Sequence, residues 1–534
     1  VARSLPIIVA TSWVGFCLVL PVLGVLLLIG DGLWRVLGRG AELLSSFFEV
    51  PGLLSMVGQS LGTALISVFI SFVLVLLTLP HTLQRSQSWF ARVLIGMPHL
   101  VVAIGLVWLL APTGWLWRVF GATEPSITLF EQQSLISLWL VLVLKEFPFL
   151  WLVAGIALKR LPVANWFVQG RALGRTDAQI WWLVVVPAVV RQLRLALIIV
   201  AVYSASVVDV ALLLGPQSPP LFAVQVYQWF MDFGPQRADY ARWGSILLLA
   251  LSLLLVGIVV LHERVFLWLT ARGLSRSRVL GLPPAWLPQV MLTVLLCLLV
   301  LIVFQLLILT GARGWFFPQL WPASWELQQV LQTVQNLAPT ILSSFLLAAV
   351  VSVLATVTVV LLTELQRHYQ KQVSLTLVLL PLLLPQIILL LGWQSAYFLF
   401  SNTPHWAWIV LCHLPFSIAY TFIVYAPIEA LYPQRTLVVA QSLGHSYWQA
   451  WWRLKARSLA RVIGFSFGFA AVIALAQYLP VQMTAAGRVQ TLTTEFVSLA
   501  SGGIRPEVVT IGLVLTLVSF IALSLQTVKG DTQS

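Results

Sequence analysis

Long uninterrupted apolar runs constrain this chain more than any other feature. Leu5 to Gly30, Leu346 to Leu362 and Leu375 to Leu391 carry no charged residue. At ~1.5 Å of rise per residue, helices of these lengths cross, or nearly cross, ~30 Å of hydrocarbon. Backbone in hydrocarbon must satisfy its own hydrogen bonds, as helices or as a closed barrel. Barrel strands alternate apolar and polar residues, and these runs do not, so they read as helices. Spans are expected near 5–30, 58–79, 93–112, 133–158, 193–215, 243–262, 288–310, 339–362, 375–397, 408–428, 464–480 and 508–528. Those at 193–215 and 464–480 are marginal enough to be broken. The expected fold is an all-α polytopic membrane protein of about twelve transmembrane helices. A composition that is 60% hydrophobic and 9% charged excludes an ordinary soluble domain. The first run lacks a short signal-peptide core with a small-residue cleavage site and reads as a retained span.

The net charge of +13 is a topology signal. With the N-terminus placed in the cytoplasm, most Lys and Arg fall on the cytoplasmic side and most Asp and Glu outside, so both termini are expected in the cytoplasm. Nucleic acid is not an expected partner; the lipid bilayer is. Cys17, Cys297 and Cys412 all lie in expected spans, where they pack and do not ligate. His99, His413 and His445 show no metal-ligand spacing, so no metal site is expected.

The basic, proline-containing stretch from Arg272 to Pro288 divides the chain into 1–284 and 285–534, six spans each. Features recur in matching order. A proline is followed seven residues later by glycine at Pro98 and Gly105, and again at Pro385 and Gly392. A Pro-Phe pair recurs as Pro148-Phe149 and Pro415-Phe416. Single prolines and glycines are ordinary kinks, but their repetition in order implies two tandem six-helix halves related by an axis along the membrane normal.

Between the fourth and fifth spans of each half lies a long loop, near 164–192 and 434–462. Leu173-Gly174 and Leu443-Gly444 are shared, and a Trp-Trp pair follows each glycine seven residues on. The glycine suits a left-handed helix C-cap. Thr176 with Gln179, and Ser446 with Gln449, have capping-box spacing, so each loop is expected to be helix, tight turn, helix. Trp181, Trp182, Trp451 and Trp452 give the second helix an apolar face. An interfacial helix that only anchors a loop would also look like this, though twofold occurrence at equivalent positions weighs against it.

Both loops resemble the EAA loop of ABC importer permeases, whose pattern is Glu-Ala-Ala, three residues, Gly, nine residues, Ile-x-Leu-Pro. The first copy fits through Gly174 and Val184-Val-Val186-Pro187, with Val168-Gln169-Gly170 in place of Glu-Ala-Ala. The second has Val438-Val439-Ala440 there and Leu454-Lys455-Ala456-Arg457 at its end, so it rests on Gly444 and its surroundings. The fused six-plus-six plan is similar to that of the iron(III)- and thiamine-type permeases over essentially the whole chain. The stretches Ser206 to Pro220 and Ala476 to Glu495 sharpen the likeness.

The resemblance implies a transport subunit of the bacterial inner membrane that binds no cofactor and is no enzyme itself. ATP and Mg2+ belong to a separate cytoplasmic ATP-binding subunit, in two copies. None of the five lysines follows a glycine, so the chain has no phosphate-binding Gly-Lys of its own. Leu173, Gly174, Arg175, Thr176, Gln179 and Pro187, with Leu443, Gly444, His445, Ser446 and Gln449, are the expected ATPase-coupling residues. An extracytoplasmic substrate-binding protein is the other implied partner, meeting 216–242 and 481–507 as exposed loops.

Charged side chains within spans cost ~2.5–3.5 kcal/mol each if they face lipid. Lys145, Glu146 and Asp209 must therefore face protein or water, with Gln477 and Tyr478 as polar counterparts in the second half. A Lys145–Asp209 bridge is the expected pairing, as a structural ion pair or as part of the translocation pathway. The competing function is an ion-gradient-driven secondary transporter, in which these charges would be the coupling relay.

Overall fold

A computed structural model describes residues 5–39, 42–84, 96–125, 130–131, 133–232, 234–273, 281–399, 405–485, 487–502 and 505–524. Residues 274–280 of the expected linker, 93–95 at the start of the third expected span and 525–528 at the end of the last lie outside them. The described residues are almost wholly helical, and a two-residue hairpin, Ala312–Arg313 with Ser324–Trp325, is their one sheet.

Among the described residues nine helices are long and apolar enough to cross a membrane, or eleven if two bent pairs each count as one span. The bent pairs are Leu375–Leu383 with Gln386–Tyr397, turning through 95°, and Tyr447–Ser458 with Ala460–Ala476, turning through 74°. A shorter apolar helix, Pro506–Ala522, falls on the twelfth expected span. Proline explains the first bend. Pro385 has no N–H to continue the ladder from Leu383, and its ring pushes Leu384 into extended backbone.

Both fifth spans are broken at the same register. Val186–Ser206 stops, Val207 and Val208 leave the helix, and Asp209–Leu214 begins. In the second half Ala460–Ala476 stops and Gln477 and Tyr478 lead into Leu479–Ala485. The symmetry extends to single hydrogen bonds. Ser60 Oγ accepts from the Phe222 amide at 2.9 Å and Ser344 Oγ from the Leu492 amide at 2.7 Å, each satisfying an orphan donor at a helix start.

The helices that open the segments 1–284 and 285–534 each lie against the other segment. Leu5–Arg39 packs on Gln386–Leu399, and Trp286–Leu309 packs on His99–Leu110 as well as on Arg505–Ser524 of its own segment. The repeated glycines sit at these crossings. A Cβ on Gly392 would collide with the backbone of Gly24, and one on Gly105 would come within 2.5 Å of the Ile302 side chain. Trp393 Nε1 donates to the Leu20 carbonyl at 2.9 Å across the same contact. The Pro-x6-Gly repeat thus combines a helix break with a site of close helix approach.

The segments 216–242 and 481–507 are not the exposed loops expected from their Pro-Pro, Gly-Arg and Thr-rich character. They contain the helices Phe222–Met231 and Leu492–Gly502, whose Phe222, Ala223, Val226, Leu492 and Phe496 are buried. Apolar residues at helical spacing outweighed the turn residues at the segment ends.

Candidate functional site

Two paired turns and a cavity hold most of the residues singled out above. In the first turn, Val163–Ala172 ends at Leu173 and Gly174 takes φ +73°; in the second, Arg435–Ser442 ends at Leu443 and Gly444 takes φ +90°. The Arg175 amide donates back to the Gly170 carbonyl at 3.0 Å and the His445 amide to Ala440 at 3.1 Å, closing the same left-handed cap twice. Both capping boxes are formed: Thr176 and Ser446 accept from the N3 amides, while Gln179 and Gln449 accept from the N-cap amides at 3.0 and 3.1 Å.

Each pair of helices closes on a small residue. A Cβ on Gly170 would crowd Ile180, and in the second copy Ala440 and Ala450 share one buried cluster. Opposite a small residue the facing side chain sets the spacing, glycine with isoleucine in one copy and alanine with alanine in the other. Both Trp-Trp pairs open a π-helical turn, Trp181–Val185 and Trp451–Lys455. The first tryptophan of each pair is buried, whereas Trp452 is exposed. Pro187 lies inside the continuous helical run Asp177–Ser206, two residues past the π-helical turn Trp181–Val185, and has no N–H to donate to that turn. Leu173 and Leu443, at the tips, are 79% and 76% exposed.

The two copies are held differently. In the first, Arg171 makes a bidentate pair with Asp177 across the turn at 2.7 and 2.9 Å, in solvent, which keeps the guanidinium firmly protonated. The second is fastened to the body by a buried ionic network. Lys455, with no exposure at all, donates to Glu364 Oε1 and Glu429 Oε1, each at 2.5 Å. Tyr447 donates to Glu364 Oε2, Trp451 Nε1 to Glu364 Oε1 at 3.0 Å, and Arg367 reaches Glu429 at 2.8 Å. Four charges, two of each sign, are thereby neutralised and hydrogen-bonded. Sequence reasoning missed this network. Lys455 was visible only as the variable position of a degenerate motif, and Glu364 and Glu429 lie on two distant helices.

The cavity, of roughly 200 Å³, lies where the interrupted helices converge. Asp209, Gln477 and Tyr478 line it, together with His99, Gln386 and Tyr420 from the third and fourth spans. Gln386 Nε2 donates to Gln477 Oε1 at 3.2 Å, and the Tyr227 and Tyr478 hydroxyls are 3.2 Å apart. Lys145 and Glu146 are buried beside the cavity and do not line it. The expected Lys145–Asp209 bridge does not form, because Lys145 Nζ turns to the Met97 carbonyl at 2.5 Å, where the break before Pro98 leaves an acceptor free. Glu146 instead meets His99 Nε2 at 3.4 Å. His99 and Gln386 follow the paired prolines directly, a signal that could have marked them. No group of three or more potential metal ligands occurs among the described residues.

A comparison with known proteins bears on these paired elements. The chain is 30% identical over 416 residues, 77% of its length and 74% of the relative's, to the inner membrane ABC transporter permease protein YnjC of Escherichia coli strain K12. The chain belongs to the ABC transporter permeases. As such it is the membrane-spanning transport component of an ABC system, embedded in lipid and working with an ATPase subunit. The gradient-driven alternative is thereby set aside. No family model and no solved structure matches the chain.

Proposed function

We propose that this permease is the import subunit of a binding-protein-dependent system in a bacterial inner membrane, with both termini in the cytoplasm, and that it carries a small solute inward. Segments 1–284 and 285–534 are its two halves. The turns at Gly174 and Gly444 seat in two copies of the ATPase subunit, which bind ATP and Mg2+, and a soluble substrate-binding protein meets the opposite face. Closure of the ATPase pair draws the two turns together, and the rigid helices running from them reorient the cavity between the halves.

The observation that carries this reading is the twofold glycine turn with its capping box, projecting an exposed leucine at each tip. A leucine left in water at the same position of both copies is surface for a partner. The arrangement of Asp209, Gln477 and Tyr478 around a cavity at broken helices supports the assignment of the pathway.

The test is a pull-down of tagged permease from gently solubilised membranes, for the parent and for Gly174→Val with Gly444→Val. A valine resists the left-handed backbone by ~1–2 kcal/mol per site. An ATPase subunit should come down with the parent and be lost with the variant, which still inserts. Equal recovery with both would contradict the coupling role.

A further inference from the structure

We infer that the cavity is built for a small organic cation. The inference rests on the reading of this cavity as the translocation pathway and adds the chemical class of the solute. Its central feature is Asp209. The carboxylate lines the cavity at the start of Asp209–Leu214, and among the described residues no side chain forms an ion pair or hydrogen bond with it. The cation expected to neutralise it, Lys145, is committed to Met97. Among the described residues no Lys or Arg lines the cavity; His99 is the one lining side chain there able to carry positive charge, and it stands 3.4 Å from Glu146 as well as within electrostatic reach of Asp209.

Helix ends do not reverse this balance. The starts of His99–Leu110, Gln386–Leu399, Asp209–Leu214 and Leu479–Ala485 each carry partial positive charge, which by itself would favour an anion. Yet the fifth-span breaks also bring the carbonyl ends of Val186–Ser206 and Ala460–Ala476, and the third-span break in the second half brings that of Leu375–Leu383. Opposed helix ends largely cancel at three of these four breaks, so the formal charge of Asp209 decides. An anion would meet a carboxylate in a site of low dielectric, and a neutral solute would leave that carboxylate with only the backbone amides of its own helix start and His99 beside it.

The remaining lining chemistry fits the same class. Tyr203, Phe416, Tyr420 and Tyr478 put four aromatic rings around the cavity. Ring faces attract ammonium and heteroaromatic cations, most strongly where water is excluded. A bare metal ion would require several oxygen, nitrogen or sulfur ligands converging on one point, and one carboxylate does not provide them. Gln386, Gln477 and Ser417 form a hydrogen-bonded chain on the second-half side, leaving amide edges to orient a polar group of the solute.

The inference is tested with purified full-length permease by equilibrium binding of radiolabelled probes. The cations are choline, tetraethylammonium and N-methylpyridinium; 3,3-dimethylbutan-1-ol and 3,3-dimethylbutanoate are the neutral and anionic isosteres of choline. The parent should bind at least one cation about tenfold or more tightly than the isosteres, and Asp209→Asn should lose that preference. Absence of cation binding, equal binding of the neutral or anionic probe, or an unchanged preference in Asp209→Asn would overturn it. Co-purification of an ATPase subunit is scored in the same preparations. Recovery of that subunit without cation preference refutes the solute class alone, whereas its absence from the parent refutes the importer reading beneath it.

Discussion

Replacing Lys455 by methionine tests whether the second coupling segment is clamped to the body of the permease. Methionine keeps most of the length and apolar volume of the lysine stem and removes only the charge. Glu364 and Glu429 each lie 2.5 Å from the vacated nitrogen, so two carboxylates are left close together out of water. Glu429 keeps Arg367 at 2.8 Å; Glu364 loses its cation and keeps two neutral donors, Tyr447 and Trp451. Breaking a buried ion pair by removing one partner costs ~3–5 kcal/mol, and the retained donors put this case near the lower end, ~3 kcal/mol. That corresponds to more than about a hundredfold in the folded to unfolded ratio. The assay is thermal unfolding in detergent with a thiol-reactive dye, which reports exposure of the buried Cys17 and Cys412. Glu364→Gln in the Lys455→Met background should restore most of the loss, because it removes the uncompensated charge while keeping an acceptor for Tyr447. A cost below ~0.5 kcal/mol for Lys455→Met, or no rescue by Glu364→Gln, would show that the network does not clamp the segment.

Other substitutions probe separate parts of the fold. Gly392→Ala should destabilise the protein by ~2 kcal/mol or more, because the added Cβ collides with Gly24 backbone, whereas Gly464→Ala, in open space on a helix, should stabilise by ~0.5–1 kcal/mol; the same dye assay separates them. Thr176→Ala and Ser446→Ala should each cost ~1 kcal/mol and raise amide hydrogen exchange at Gln179 and Gln449. Tyr227→Phe removes a hydroxyl contact between the halves and should cost ~0.5–1.5 kcal/mol; an unchanged midpoint would show that the Tyr227–Tyr478 contact is not a net stabiliser.

The local elements were legible because short-range rules govern them. Apolar run length set the spans, and the Leu-Gly pair with a hydroxyl and glutamine at fixed offsets set both turns, down to the sign of φ at Gly174 and Gly444. The matching Pro-x6-Gly repeats were visible for the same reason, as backbone interruptions written into consecutive residues. What the interruptions face was not visible. That Gly392 meets Gly24 and Gly105 meets Ile302 depends on first helices lying against the opposite half, a choice made by packing across hundreds of residues. Charge partners were hidden likewise. Lys145 turned to a backbone carbonyl freed by a proline, Asp209 was left to the cavity, and Lys455 found two carboxylates on separate helices. By itself, then, the sequence determined that the chain is a helical membrane protein with two capped glycine turns, since hydrophobicity, capping and glycine backbone freedom act within a few residues. Tertiary structure alone decided which charges are neutralised and which one faces the cavity, because burial and ion pairing depend on distances that only the packed helices define.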